Sequence, residues 1–174
     1  MSQREFEYTW VWSLQAKPEA LWNLAADTNR FDRDSGVPAL QSLPSDELTN
    51  ARTRQRIYLF GTGIVYEQEP FKWIYPYRFG VIRNFIGGPI LELRILAELK
   101  PRDDGGTDLS YQVCATARNL LGTLLIPLQI GILYQRTFAR TFQKYDLLAQ
   151  ATSPIVTRVV ASHSLPGAKR AWQS

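Results

Sequence analysis

Apolar and polar residues alternate one for one near the start of the chain. Between residues 5 and 15, Phe6, Tyr8, Trp10, Trp12 and Leu14 share one phase and Glu5, Glu7, Thr9 and Ser13 the other. A period of two with one aromatic face predicts a half-buried strand. Lys17-Pro18-Glu19 follows, a proline early in a helix with an acid in the first turn. Leu21, Trp22, Leu24 and Ala25 give that helix its apolar stripe. Asp27-Thr28-Asn29-Arg30-Phe31 ends it and starts a second short helix, stopped by Gly36 and Pro38. Residues 39–50 read as a loop.

From Ala51 the period returns to two. Arg52, Arg54 and Arg56 alternate with Thr53, Gln55, Ile57 and Leu59, and Gly61-Thr62-Gly63 turns the chain into a strand from Ile64 to Glu69. Pro70 and Pro76 bracket a short aromatic strand, and Phe79–Ile86 is the next, turned by Gly87-Gly88-Pro89. Leu91, Leu93, Ile95, Ala97 and Leu99 share a face, as do Leu109, Tyr111, Val113, Ala115 and Ala117. Asp103-Asp104-Gly105-Gly106 between them is a hairpin signal. A helical pattern then runs from Asn119 to Ala151, about 50 Å at 1.5 Å per residue. Its expected inner stripe is Leu121, Leu125, Leu128, Ile132, Phe138, Phe142 and Tyr145. Pro127 lies inside it and has two explanations: a helix that begins there, or one continuous helix kinked there.

The order is one strand, two short helices, six antiparallel strands and one long helix. This predicts an α+β fold in which a curved antiparallel sheet of about seven strands wraps around the C-terminal helix. A sheet that curls enough leaves a cavity beneath the helix. The aromatic first strand, Lys17-Pro18-Glu19-Ala20-Leu21-Trp22 and the long final helix resemble the START-like superfamily, also called SRPBCC or polyketide cyclase-like, whose fold is the helix-grip fold. The resemblance covers roughly residues 5–150. A narrower one rests on Leu21–Arg33, Glu69-Pro70-Phe71-Lys72-Trp73, Arg78-Phe79-Gly80-Val81, Gly88-Pro89, Asn119-Leu120-Leu121-Gly122 and Ile126–Gly131. These are similar to START-like domains that precede class III adenylate/guanylate cyclase domains in bacteria. Residues 1–151 are therefore expected to form a ligand-binding domain, and 152–174 a basic linker or tail.

Composition narrows the function. Hydrophobic residues make up 45% and charged residues 21%, which fits a globular domain rather than a disordered chain. Net charge is +4, but Arg158, Lys169 and Arg170 in the acid-free tail supply three of those charges. The body is nearly neutral, so nucleic acid is not an expected partner. One cysteine excludes an internal disulfide, and one histidine argues against a multi-histidine metal site or a serine–histidine triad. No metal or cofactor is expected. The apolar stretch Leu120–Tyr134 is 15 residues, short of the ~20 that span a bilayer, and the Met1–Glu5 start is polar. A cytoplasmic location is expected, and a membrane surface is not an expected partner.

Tyr8, Trp10, Tyr111 and Arg83 face inward by alternation, with Gln129 and Gln135 on the helix. Neither Leu91–Leu99 nor Leu109–Ala117 carries a carboxylate in its inner phase, so general acid–base chemistry lacks a tunable acid there. A buried Arg83 must be paired or face a ligand; a slipped phase would expose it. The polar cluster Asp27–Asp34 reads as helix-terminating residues or as a cavity-mouth surface. No catalytic residue is assigned. The expected ligand contacts are Tyr8, Trp10, Trp73, Arg83, Leu93, Tyr111, Val113, Leu125, Leu128, Ile132 and Phe138. The resemblance implies a small hydrophobic ligand in a sensory or regulatory module, with a cyclase domain or partner protein as its output. A polyketide cyclase/dehydratase-type enzyme and a lipid carrier are the alternatives. A packed aromatic core explains the same residues equally well.

Overall fold

The alternating segments form one antiparallel sheet in the computed structural model, which describes residues 4–36, 41–43, 53–59, 62–70 and 72–152. The strands are β1 (Arg4–Leu14), β2 (Gln41–Leu43), β3 (Thr53–Leu59), β4 (Thr62–Gln68), β5 (Lys72–Ile74), β6 (Arg78–Phe85), β7 (Ile90–Pro101) and β8 (Thr107–Ala117). Their order is β1-β8-β7-β6-β4-β3-β2, with β5 paired to β6. All seven predicted strands are present. β2 is an addition, inside a segment that reads as a loop because three residues cannot display a period. Tyr8 pairs with Val113 and Trp10 with Tyr111, so the first strand closes on the last.

Between β1 and β2 stand α1 (Pro18–Ala25) and α2 (Thr28–Asp34). Pro18 opens α1, where its missing N–H is harmless, and Leu21, Trp22 and Ala25 are buried. The Asp27 carboxylate caps α2 by accepting the Arg30 N–H at 3.0 Å.

The C-terminal helix is continuous, in three parts: α3 (Leu120–Ile126), a π-helical stretch (Pro127–Tyr134) and α4 (Gln135–Thr152). Ile126 and Pro127 both have right-handed helical angles (φ −57°, ψ −51° and φ −61°, ψ −40°). The helix therefore does not begin at Pro127. The inner stripe differs from the expected one. Gly122, Ile126, Ile130, Phe138 and Phe142 are buried, while Leu121, Leu128 and Ile132 are exposed. The buried row starts one residue out of the expected phase, at Gly122 and Ile126, and helix geometry keeps it in line from there. In an α-helix each four-residue step overshoots the 3.6-residue turn by about 40°. In a π-helix, at about 4.4 residues per turn, the same step falls short by about 30°. The π stretch cancels the drift, and a four-residue row stays on one side.

The core is divided. One cluster joins Leu14, Leu21, Phe31, Leu99, Leu109, Tyr111, Phe138, Phe142 and Tyr145. Its aromatics touch directly, with Phe31 and Phe142 ring centres 4.9 Å apart. The other joins Ile57, Ile64, Tyr66 and Phe85 under β3, β4 and β6. Ile90 and Leu93 pack against both.

Candidate functional site

Where the two clusters fail to meet there is a cavity of about 720 Å³. Its walls are Phe31, Tyr111, Val113 and Phe138 from one cluster and Ile57, Ile64, Tyr66 and Phe85 from the other. Of the two explanations for the aromatic surplus, part of it is packed core and part lines this space. The cavity reaches solvent where exposed residues line it, at Ile86, Gly88, Asn119 and Leu121. That rim joins the β6–β7 turn to the start of α3. The Asn119 side chain caps α3 by accepting the Gly122 N–H at 3.0 Å. A Cβ on Gly122 would stand 2.1 Å from the Pro89 carbonyl oxygen, so only glycine lets helix and turn approach this closely.

The interior carries a charge pair. Arg83 on β6 and Asp32 on α2 are both buried, with Nη2 to Oδ2 2.6 Å. Arg83 Nε also donates to Gln68 Oε1 at 3.2 Å, and its guanidinium lies 5.3 Å from the Tyr66 ring centre. Burial opposes the arginine's charge, but the carboxylate and hydrogen bond of Asp32 outweigh it and hold the pKa above the usual arginine value. Both residues line the cavity. Arg83 thus keeps the inward phase its alternation predicts. Asp32 corrects the reading of Asp27–Asp34 as helix-terminating polar residues: Asp27 is a cap, but Asp32 points into the fold. It supplies the inner carboxylate that the strands lack.

Three tyrosines face the same space. Burial pushes Tyr111 far above the usual phenol value, and the Asp32 charge adds to this. Burial raises Tyr66 and Tyr134 as well. All three are neutral phenols at pH near 7. Tyr66 donates to Gln55 Oε1, and the Tyr134 hydroxyl accepts from Gln129 Nε2 at 3.4 Å. The Tyr111 hydroxyl has no hydrogen-bond partner among the described residues, although the residue is 3% exposed. It opens on the cavity, close enough to Asp32 and Arg83 to feel both charges.

Of the expected contacts, Arg83, Leu93, Tyr111, Val113, Leu125 and Phe138 line the cavity. Five do not. Leu128 and Ile132 fall on the outer side of the helix, each two residues, about half a turn, from a buried isoleucine (Ile126 and Ile130). Tyr8 and Trp10 are spent on packing. Tyr8 lies under Gly131, whose absent Cβ would meet the ring at 2.9 Å, and Trp10 sits edge-on to Phe138 at 5.9 Å. Trp73 belongs to the short outer strand β5, is 61% exposed and packs at 6.4 Å on Trp22. Gln129 lines the cavity and Gln135 is exposed. Sequence reasoning missed Asp32, Tyr66 and Tyr134. Tyr66 sits in a predicted strand and Tyr134 ends an apolar run, so both were visible as elements but not as site residues.

The sheet wrapped about one long helix, with a cavity between them, decides the architecture. The chain has the helix-grip fold. Solved structures with this fold agree across most of the chain. A conserved protein from Geobacillus kaustophilus is 16% identical, with a TM-score of 0.62 over 83% of this chain and 97% of that one. The Zhui aromatase/cyclase from Streptomyces sp. R1128 is 11% identical, with a TM-score of 0.56 over 86% of this chain and 94% of that one. Ara h 8.0201 is 7% identical, with a TM-score of 0.52 over 80% of this chain and 99% of that one. At these identities the likeness is one of fold. No family model and no curated protein matches the chain. Among the described residues, no helix is long and apolar enough to cross a membrane, and no cluster of three or more metal-ligating side chains occurs.

Proposed function

We propose that residues 1–151 form a binding module for one small, mainly apolar ligand with an acceptor oxygen at one end. The observation that carries this reading is the cavity of about 720 Å³ lined by both the buried Asp32–Arg83 pair and Tyr111, whose hydroxyl has no hydrogen-bond partner among the described residues. Its volume lies in the range of small-molecule sites, which are apolar with a few placed polar groups. Tyr111 and Arg83 offer donors, so a carbonyl, carboxylate or phenolate oxygen is the fitting polar group. Arg83, Leu93, Tyr111, Val113, Leu125 and Phe138 are the contacts. Output passes through residues 152–174 to a nucleotide cyclase domain or other partner, in the cytoplasm. The support for that part is the sequence similarity of Leu21–Arg33 and the other quoted segments to cyclase-associated domains.

The likeness to the Zhui aromatase/cyclase and the buried polar group support a second reading, an enzyme acting on a polyketide-type substrate. The site's chemistry favours binding. Its phenols are held neutral by burial, and its carboxylate is engaged by arginine.

Native mass spectrometry of the purified protein, and titration with anilinonaphthalene sulfonate, test the reading. We expect a co-purifying small molecule or a single saturable dye site, lost when Val113→Phe fills the cavity and weakened by Tyr111→Phe. A ligand-free chain whose dye binding is indifferent to Val113→Phe would overturn it.

A further inference from the structure

The side of the helix that faces away from the sheet is apolar and, among the described residues, uncovered. Leu120, Leu124, Leu128, Ile132 and Leu133 are each more than half exposed, at 75%, 72%, 52%, 58% and 56%, and Leu121 at the cavity mouth is 55% exposed at the edge of this face. Ile86, on the β6–β7 turn that packs against α3, is 56% exposed beside them. Soluble surfaces rarely collect apolar residues in one patch without a partner. From Asn119 to Gln135 there is no charged residue at all. A helix that is apolar all round normally has both faces buried.

The charges flanking this face share one sign. The exposed row Leu124, Leu128, Ile132 continues at the same four-residue spacing into Arg136 and Arg140, both exposed. Arg118 precedes the helix and is also exposed. No acidic residue occurs between Asp108 and Asp146, and residues 153–174 add Arg158, Lys169 and Arg170 without an acid. Neither Arg136 nor Arg140 has a carboxylate partner among the described residues. Leucines flanked by unpaired arginines suit a surface that is apolar beneath and anionic on top. That describes the interface of a bilayer containing acidic phospholipid. The bilayer offers both layers along the whole row.

We infer that this helix face docks the protein on an anionic bilayer surface, with the cavity rim at Ile86 and Leu121 turned toward the lipid. Docking of this kind needs no spanning segment, so the short length of Leu120–Tyr134 is no obstacle. The inference does not depend on what the cavity holds.

Flotation with phosphatidylcholine vesicles, with and without phosphatidylglycerol, tests it. The full chain should float with the phosphatidylglycerol vesicles, weakly with phosphatidylcholine alone, and less as salt rises. Leu124→Asp/Leu128→Asp removes two exposed leucines that do not line the cavity, so folding and saturable dye binding should persist. Its partition coefficient should fall at least about tenfold, because one leucine lost from an apolar phase already accounts for that factor. Arg136→Glu/Arg140→Glu should abolish the preference for phosphatidylglycerol. Three results would overturn the inference. The wild-type chain stays unbound to phosphatidylglycerol vesicles; the aspartate variant floats like the wild type; or light scattering shows a dimer that the aspartate pair dissociates, which makes the face a contact between copies. If the aspartate variant does not fold, unchanged flotation of the arginine variant is decisive against it.

Discussion

Removing either member of the Asp32–Arg83 pair should destabilise the protein far more than removing both. The side chains are 7% and 8% exposed and meet at 2.6 Å. Arg83→Met leaves a buried carboxylate without its cation, and Asp32→Leu leaves a buried guanidinium with only Gln68 and the Tyr66 ring. Losing one partner of a buried pair costs about 3–5 kcal/mol, whereas replacing both with apolar side chains is often neutral. The cavity gives water some access to an orphaned charge, so about 3 kcal/mol is expected for each single variant. The double variant should lose about 1 kcal/mol or less. For a chain of this size, 3 kcal/mol corresponds to a fall in Tm of about 6–12 °C. Urea unfolding followed by circular dichroism, set out as a double-mutant cycle, reads the coupling directly. Single variants that each cost under about 1 kcal/mol would show that the pair is effectively solvated. A double variant that costs the sum of the singles would show that the two residues act independently. Either result would refute the account of the cavity's polar end.

Two further outcomes follow from the packing and the charges. Phe142 is 1% exposed and sits 4.9 Å from Phe31 and 5.1 Å from Trp12, so Phe142→Ala should cost about 3–5 kcal/mol in urea unfolding; a loss below about 1 kcal/mol would mean the ring is not in the core. Partial burial works to raise the Asp34 pKa, but hydrogen bonds from Lys144 and Tyr145 and the charges of Lys144 and Arg30 outweigh it and hold the pKa below its ordinary 3.8. Its stabilisation is therefore full above that value and is lost as pH falls through the depressed one, so Asp34→Asn should flatten the acid limb of a stability–pH profile; superimposable profiles would refute this.

The strands were legible because a half-buried strand displays its period directly. Leu109–Ala117 alternates buried and partly buried without a break, as its sequence does. The Asp103–Gly106 hairpin was legible because Gly105 takes a positive φ (88°) and Asp104 accepts the Gly106 N–H at 3.0 Å. The helix was legible as a helix but not in its phase. Its first half, from Asn119 to Gln135, carries no charge on any side, so composition could not separate the roof of the cavity from the outer face. Arg83 was legible because Phe79, Val81 and Phe85 fixed its face. Asp32 was not. Nothing local distinguishes an acid that caps a turn from one that reaches a partner 51 residues away.

A cavity of this size beneath a helix requires that the helix be held from elsewhere, because side chains around an apolar void relax into it when they are free to. Here the helix is held at its start, at the cavity rim, and again in its middle and toward its end, away from the cavity. At its start, Gly122 is pressed against Pro89, and the Arg118 N–H donates to the Pro89 oxygen at 2.9 Å. In the middle, Gly131 rests on the Tyr8 ring. Toward its end, Asp146 accepts the N–H groups of Gln15 and Ala16 at 2.9 and 2.7 Å, and the Tyr145 hydroxyl donates to Asp34 at 2.9 Å. These contacts attach it to β1, to the β1–α1 turn, to α2 and to the β6–β7 turn. None of them, among the described residues, ties it to β3 or β4, where Ile57, Ile64 and Tyr66 form the far wall. The space survives because the helix height is set at the rim and over β1, away from the far wall. The glycines at 122 and 131 set that height: at Gly122 a Cβ would strike the Pro89 backbone, at Gly131 it would crowd the Tyr8 ring, and together they fix the cavity's roof without placing a side chain in it.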